Sequence, residues 1–228
     1  MDDEDFADSD YYAEIVEQVS KEAVENFTFE RLRASYDKEP TISEKAFRAL
    51  AEARQLLQTP HYTAAFIHAA IASEVLLKGV ILKPILQGFI HSDSIAPLIV
   101  ALAFPSNSIG FERIGGLLAK IFQDVSNLDL MAYRRKDGTK MLWEEISELQ
   151  KRRNPIMHRA EIATKADAEH AIAVATAIME ELFPVFAKSL GYHLHDGFRL
   201  CGDQYCLLHP EYGERNRMMA QLSGSRKT

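Results

Sequence analysis

Cysteine is scarce in this chain, with two among 228 residues. Two thiols cannot form the disulfide framework that holds small secreted domains together. Proline (8) and glycine (11) are also few, which argues against a sandwich of many short strands and favours long helices. No run of 18 or more uncharged apolar residues occurs, and the acidic start MDDEDFADSD lacks the basic and apolar regions of a signal peptide. We therefore expect a cytoplasmic, mainly helical protein with no membrane partner.

The charge of the chain is unevenly distributed. The net charge of −7 comes from residues 1–40, which hold 13 acidic and 4 basic residues, whereas residues 41–228 have a balance of +2. Within this mildly basic body, the segment 134–159 is the most basic, with cations at Arg134, Arg135, Lys136, Lys140, Lys151, Arg152, Arg153 and Arg159. Such a segment can bind an anionic polymer locally, because salt screens charges over about 8 Å under physiological conditions.

The order of patterns along the chain predicts an all-α domain with a small extension. We expect residues 1–10 to form a disordered acidic lead, residues 11–190 an antiparallel helical bundle, and residues 191–228 a C-terminal extension. The extension contains two short apolar segments, Phe198–Leu200 and Tyr205–Leu208, which predict a β-hairpin that turns at Gly202-Asp203. The end of the chain is polar, and we expect it to be loose.

Two long helices have clear sequence patterns. The last helix, residues 165–190, has apolar residues at spacings of three and four, a capping residue at Thr164 and a stop at Gly191. The segment from His61 to Phe89 is apolar on nearly all sides, which indicates a helix buried in the core or in a subunit interface. Pro84 should kink or end that helix.

The residues that point to chemistry lie at the basic end of another helix. One face of a helix over 139–153 carries three apolar residues, and the next position on that face is Arg153. Pro155 should interrupt the backbone hydrogen bonds, so that His158 comes from the turn that follows. Arg153 and His158 can then face one small volume, with Asn154 between them as a polar donor and acceptor.

Such a trio suits phosphodiester chemistry. Arginine stays charged at every cellular pH and can clamp two phosphate oxygens. Histidine can take a proton from a 2′-hydroxyl group or give one to a leaving 5′-oxygen. This reaction requires no metal, which fits the absence of a cluster of carboxylates around the motif, and we expect no other cofactor. The alternative is that these cations only complement the dipole at a helix C-terminus.

The motif and its flanking helices resemble the HEPN superfamily, helical domains of prokaryotic toxins, phage-defence proteins and CRISPR-associated ribonucleases. Arg153-Asn154 followed by His158 is similar to the family signature of Arg, four to six residues and His. The long amphipathic helix that follows is also similar. Upstream, the apolar helix with Glu74 and Lys78 looks like the family helix that bears a Glu and a following Lys. The likeness spans about residues 43–190.

This resemblance implies an antiparallel bundle that forms a homodimer, in which two Arg–His pairs make one composite active site. It implies metal-independent RNA cleavage, in which the 2′-hydroxyl group attacks to leave a cyclic phosphate and a 5′-hydroxyl end. Arg153 would bind and polarise the phosphate, His158 would transfer protons, and Asn154 would orient one of them. Glu74 would hold Arg153 or Asn154. The cations expected to bind RNA are Lys151, Arg152, Arg159, Arg134 and Arg135.

A toxin or phage-defence role would require an antitoxin or another regulatory partner. The alternative function is a non-catalytic module that binds RNA or a nucleotide, or regulates a partner protein, through the same basic surface. A third interpretation is a purely structural helical dimer.

The cysteines and nearby histidines form a second candidate site. Cys201 and Cys206 are separated by four residues, and His193 and His195 would share one face of a strand. These four residues could bind zinc. A second Cys-Cys or His-His pair at ligand spacing is missing, however, so the sequence favours a plain hairpin with two reduced thiols and no metal.

Overall fold

The computed structural model describes residues 18–19, 29–88, 111–203, 205–206 and 208–209. The expected acidic lead, residues 1–10, lies outside these residues, as does the end of the chain from residue 210 onward.

The described residues form six helices and one hairpin, which confirms the expected mainly helical fold with a small β-extension. The elements are α1 (residues 29–38), α2 (Glu44–Gln58), α3 (Tyr62–Gly88), α4 (Phe111–Ser126), α5 (Leu142–Arg159), α6 (Lys165–Ser189), β1 (His193–His195) and β2 (Arg199–Cys201). Helix α3 is central, because it packs against α2, α5 and the first half of α6. Helix α4 packs against α5 and the last turns of α6.

Helices α3 and α6 supply much of the core. Both are long and apolar enough to cross a membrane by length and composition, and 61% and 56% of their most apolar windows are buried inside the fold. Helices that are buried on most sides in a protein core have the same composition. The burial of α3 confirms the expectation from its sequence that most of its surface is covered.

Proline does not end the long helices. Helix α3 continues past Pro84 to Gly88, and its backbone takes the wider π-helical form over Val75–Leu82, directly before the proline. Helix α6 has the same arrangement, with a π-helical segment over Ala177–Leu182 before Pro184. A proline ring normally clashes with the carbonyl four residues earlier, and a wider turn shifts that carbonyl away. Pro84 was expected to kink or end its helix, and the structure shows that it does not end it.

The prediction for Pro155 was wrong. Helix α5 runs through Pro155 to Arg159, so His158 lies in the last turn of the same helix rather than in a following turn. A proline removes one hydrogen bond, here to the carbonyl of Lys151, a residue on the exposed surface of the helix. The chain leaves the helix at Ala160, whose φ of 55° is in the left-handed region.

Both predicted ends of α6 are confirmed. The Thr164 hydroxyl oxygen accepts a hydrogen bond from the backbone N–H of Asp167 at 3.1 Å, and the Asp167 carboxylate accepts one from the backbone N–H of Thr164 at 2.8 Å. These reciprocal bonds satisfy N–H groups that a helix start leaves without partners. At the other end, Gly191 adopts a φ of 83°, which favours glycine.

The hairpin has a different register from the predicted one. His193 pairs with Cys201, Leu194 with Leu200 and His195 with Arg199, whereas Tyr205–Leu208 does not supply a strand among its described residues. The turn occurs at Asp196 and Gly197, with φ values of 53° and 81°. An Asp-Gly pair adopts positive φ readily, which makes it a strong hairpin signal that the sequence analysis overlooked in favour of Gly202-Asp203.

Candidate functional site

The Arg153 site lies where α5 meets α3. Arg153 Nη1 is 3.4 Å from Glu74 Oε2, and the other oxygen of Glu74 accepts a hydrogen bond from Lys78 Nζ at 2.5 Å. The side chains of Arg153 and Glu74 are 26% and 18% exposed. Arg153 Nε is buried and has no hydrogen-bond partner among the described residues. The contact between Glu74 and Arg153 that the sequence suggested is therefore present, with Lys78 as an additional member that the sequence analysis did not assign.

Helix geometry places Lys78 beside Glu74 in the Arg153 site. It lies one helical turn after Glu74, and its ammonium group is 5.1 Å from the centre of the Phe111 ring. Spacings of four on a helix bring side chains together, so the pair Glu74 and Lys78 was readable from the sequence. The π-helical segment of α3 begins at Val75, directly after Glu74. Such segments are frequent at functional sites.

His158 and Asn154 lie on the exposed surface of α5. On a helix, five residues correspond to a rotation of roughly 500°, so Arg153 and His158 project about 140° apart around the axis. The expectation that both would face one small volume within a chain depended on a break at Pro155, which does not occur. Neither His158 nor Asn154 has a polar partner among the described residues.

Arg152 holds the connection between α5 and α6. Its guanidinium donates to Glu161 at 2.8 Å and to the carbonyl of Ile162 at 3.0 Å, and it lies 3.4 Å from the Asp167 carboxylate. Partial burial favours the neutral form of Asp167, but hydrogen bonds from Thr164 and the charge of Arg152 together lower the pKa of that carboxyl group. Arg152 is thus engaged within its own chain, although the sequence placed it among the RNA-binding cations.

Arg135 neutralises a buried carboxylate. Glu145 is 3% exposed, and both of its oxygens accept hydrogen bonds from Arg135 Nε, at 3.2 and 3.0 Å. His170 lies 3.9 Å from the same carboxylate. Arg134 donates to the carbonyl of Thr139 at 3.1 Å and remains exposed. Of the five predicted RNA-binding cations, Lys151 and Arg159 are exposed and have no polar partner among the described residues.

The four residues of the second candidate site come together in the structure. The ligand atoms of His193, His195, Cys201 and Cys206, which we call the His–Cys cluster, all lie within 4.8 Å of one another. His193 Nε2 is 2.9 Å from His195 Nε2, which is 3.2 Å from Cys206 Sγ. Burial, with added repulsion from the imidazoles of His209 and His195, lowers the pKa of His193, and burial raises the pKa of the Cys201 thiol.

A cleft among the described residues borders the His–Cys cluster rather than the Arg153 site. It has a volume of about 650 Å³ and lies between α2, the end of α6 and the hairpin, with Phe47, Arg54, Lys188 and His193 among its lining residues. None of the residues predicted to cleave or bind RNA lines it.

No family model, no curated protein and no solved structure matches this chain. A function for the protein must therefore be inferred from the Arg153 site, the surface beside it and the His–Cys cluster.

Proposed function

We propose that this protein is a metal-independent endoribonuclease of the HEPN type that its Arg153–His158 motif resembles. The observation that carries the proposal is the state of Arg153, which is mostly buried, anchored by Glu74 and unsatisfied at Nε. Burying a guanidinium costs free energy, and a structural role would be expected to satisfy its donors. A guanidinium held in place beside an exposed basic surface is suited to bind a phosphate.

The surroundings of Arg153 support an anionic ligand. Lys151 and Arg159 are exposed on the same helix, and Glu74 divides its charge between Arg153 and Lys78. One carboxylate therefore neutralises only one of these two cations. The excess positive charge favours a phosphodiester, whose charge increases at the equatorial oxygens as the transition state forms.

The divergence of Arg153 and His158 favours a site between two chains. Side chains about 140° apart on one helix cannot both approach the same phosphate closely, whereas His158 of the partner subunit can. Met157 and Ile162, near His158, are 48% and 78% exposed and provide apolar surface for such a contact. A homodimer would thus bring two Arg153 and two His158 side chains to one cleft.

The proposed reaction needs two proton transfers. One His158 accepts the proton of the 2′-hydroxyl group as its oxygen attacks phosphorus, and the His158 of the partner subunit donates a proton to the leaving 5′-oxygen. A 2′,3′-cyclic phosphate and a 5′-hydroxyl end result. Arg153 stabilises the charge on the phosphate, and Asn154, the exposed neighbour of Arg153, orients the ribose or the imidazole.

RNA cleavage by a His158→Ala variant tests this proposal. A mixed RNA pool is incubated in EDTA with protein that circular dichroism shows to be folded in the chelator. We expect wild-type protein to leave cyclic phosphate ends and His158→Ala to be slower by roughly 10²- to 10⁴-fold, the usual contribution of acid–base catalysis. The matched control is His61→Ala, which removes another exposed histidine and should leave the rate unchanged. Equal rates for wild type and His158→Ala would contradict the proposal.

A non-catalytic RNA-binding module is the second candidate, favoured by the same divergence of Arg153 and His158 within one chain. A protein that stays monomeric would bind RNA through Lys151 and Arg159 without bringing both motif residues to one phosphate. Salt-dependent RNA binding by a monomer, with no cleavage, would identify this function.

A further inference from the structure

We propose that the His–Cys cluster is a structural zinc site, a function independent of the proposed RNA cleavage. Two imidazoles and two thiols form a Cys₂His₂ set, the donor combination found in many structural zinc sites. It is the one group of three or more potential metal ligands among the described residues. The helical fold by itself gives no reason for these four side chains to lie together.

The distances fit a tetrahedral ion. Bonds of about 2.0–2.1 Å to nitrogen and 2.3 Å to sulfur imply ligand atoms about 3.3–3.8 Å apart in a tetrahedron. The observed separations are 2.9 Å between the two Nε2 atoms and 3.2 Å between Cys206 Sγ and His195 Nε2, and the whole set spans 4.8 Å. Shifts of about half an ångström in each ligand atom, within the range of side-chain rotation, would therefore bring all four atoms to bonding distance from one zinc ion.

The hairpin register creates the cluster. His193 and His195 are two apart on β1 and so lie on one face, and Cys201 is directly opposite His193 on β2. The chain then turns back, with the N–H of Cys206 donating to the carbonyl of Asp203 at 3.2 Å. This turn brings the second thiol to the first three ligands. The predicted register, with Phe198–Leu200 against Tyr205–Leu208, would not have placed His193 and Cys201 opposite each other.

A disulfide between Cys201 and Cys206 is the competing explanation for the two thiols. It would not account for the two imidazoles, whose Nε2 atoms are 2.9 Å apart and whose ligand atoms lie within 4.8 Å of both thiols. A zinc ion would bind one nitrogen lone pair of each imidazole together with both thiolates. Imidazole and thiolate ligands together favour zinc over magnesium or calcium, which prefer oxygen.

The site would have a structural role, because four protein ligands leave no open position for a substrate. The hairpin that carries it contacts the α1–α2 connection, where the N–H of Leu200 donates to the carbonyl of Pro40 at 2.9 Å. The Tyr192 hydroxyl group, just before β1, donates to the Asp37 carboxylate at 2.7 Å. Zinc would thus fix the short hairpin, together with Cys206 after it, to the N-terminal helices.

Metal content of the purified full-length protein tests the proposal. Protein expressed with zinc in the medium should contain about one zinc ion per chain by mass spectrometry, and chelation should lower its melting temperature. Cobalt added to the stripped protein should produce the strong visible absorption of a tetrahedral site and a thiolate-to-cobalt band in the near ultraviolet. Cys206→Ser should reduce that band to about half per bound ion, because one of two thiolates is lost.

His61→Ala is the matched control, since it removes a histidine outside the cluster and should keep the full zinc content. If Cys206→Ser does not fold, His195→Gln should keep the band of both thiolates in the cobalt titration but hold less than one zinc ion per chain, because one of the four ligands is lost. Zinc-free wild-type protein with no tetrahedral cobalt spectrum, or an intact mass two hydrogens lower because of a disulfide, would overturn the site. Neither result would change the RNA cleavage expected of the Arg153 site, so one proposal can be wrong while the other is right.

Discussion

Glu74 is the residue on which the Arg153 site depends, because its single carboxylate faces two partly buried cations. Replacing it with glutamine would leave Arg153 and Lys78 without a counter-charge. Removing one partner of a buried ion pair typically costs 3–5 kcal/mol, and partial exposure reduces that cost. We expect Glu74→Gln to lower the free energy of unfolding by about 1–3 kcal/mol, measured by urea denaturation.

Glu44→Gln is the comparison for this variant, since Glu44 pairs with Arg48 at the same spacing on an exposed helix surface. Its loss should cost less than about 0.5 kcal/mol. If the two glutamine variants were equally stable, Glu74 would not be holding the cations of the Arg153 site.

Substitution of the predicted RNA-binding cations should lower stability for some of them and RNA affinity for others. Arg135→Met leaves the buried Glu145 carboxylate without its main partner and should cost about 3 kcal/mol of stability. Lys151→Ala removes an exposed charge, so it should leave stability unchanged and reduce by about 1 the slope of log binding constant against log salt. Denaturation together with RNA-binding titrations at several salt concentrations checks both. An Arg135→Met protein as stable as wild type would contradict the structural role of that arginine.

The sequence could not distinguish these cations, because it does not show which acids are buried. Glu145 lies in the first turn of α5, where a glutamate is ordinarily exposed and complements the helix dipole. Its burial depends on packing between elements. By contrast, the proximity of Glu74 and Lys78 follows from helix geometry alone, and the motif residue Arg153 was readable as a cation in line with an apolar stripe.

Helix α4 approaches α5 closely at one glycine. A Cβ atom on Gly115 would lie 2.5 Å from Cζ2 of Trp143, whereas a Cβ on Gly116 would meet nothing within 4 Å. Gly115→Ala should therefore force a repacking that costs about 1–3 kcal/mol. Gly116→Ala should stabilise the helix by up to about 1 kcal/mol, because alanine favours the helical state. Thermal denaturation of both variants measures the difference, and similar melting temperatures would show that α4 does not approach Trp143 closely.

The start of α6 depends on the reciprocal hydrogen bonds of Thr164 and Asp167. Thr164→Ala removes the side-chain acceptor and should cost about 1 kcal/mol, or about 2–4 °C in melting temperature for a chain of this size. It also removes a hydrogen bond to the Asp167 carboxylate, so the pKa of Asp167 should rise in the variant. NMR titration of Asp167 measures this shift. Thr139→Ala, at an exposed non-helical position, is the control and should change neither quantity.

Sequence patterns predicted where the helices lie better than they predicted the effect of a proline within a helix. Thr164 and Gly191 mark the ends of α6 through local chemistry that needs no tertiary information. Pro84 and Pro155 do not end their helices, because a proline in a helix loses only one hydrogen bond and packing against other helices can compensate. The hairpin was placed wrongly because strands of three residues carry little pattern, and the Asp196-Gly197 turn was the stronger signal.

At the scale of the whole molecule, the two candidate sites lie on different parts of the fold. The Arg153 site joins α3 and α5, whereas the His–Cys cluster belongs to the hairpin that contacts the α1–α2 connection. The convergence of the cluster could not be predicted from spacing, because it depends on the register of β1 and β2. The proposed composite active site does not follow from spacing and periodicity either, since it requires a second chain.

Mixing two inactive variants tests the composite site most directly. Arg153→Gln and His158→Ala are each purified, shown to be folded, and combined so that mixed dimers form; RNA cleavage in EDTA is then measured against either variant alone. Such a dimer has one intact Arg153 and, on the other chain, one intact His158. We predict that the mixture regains part of the cleavage that neither variant has, because its one His158 can accept the 2′-hydroxyl proton opposite the intact Arg153 while water protonates the leaving 5′-oxygen. A mixture as inactive as its components, beside an active wild type, would contradict a site shared between two chains.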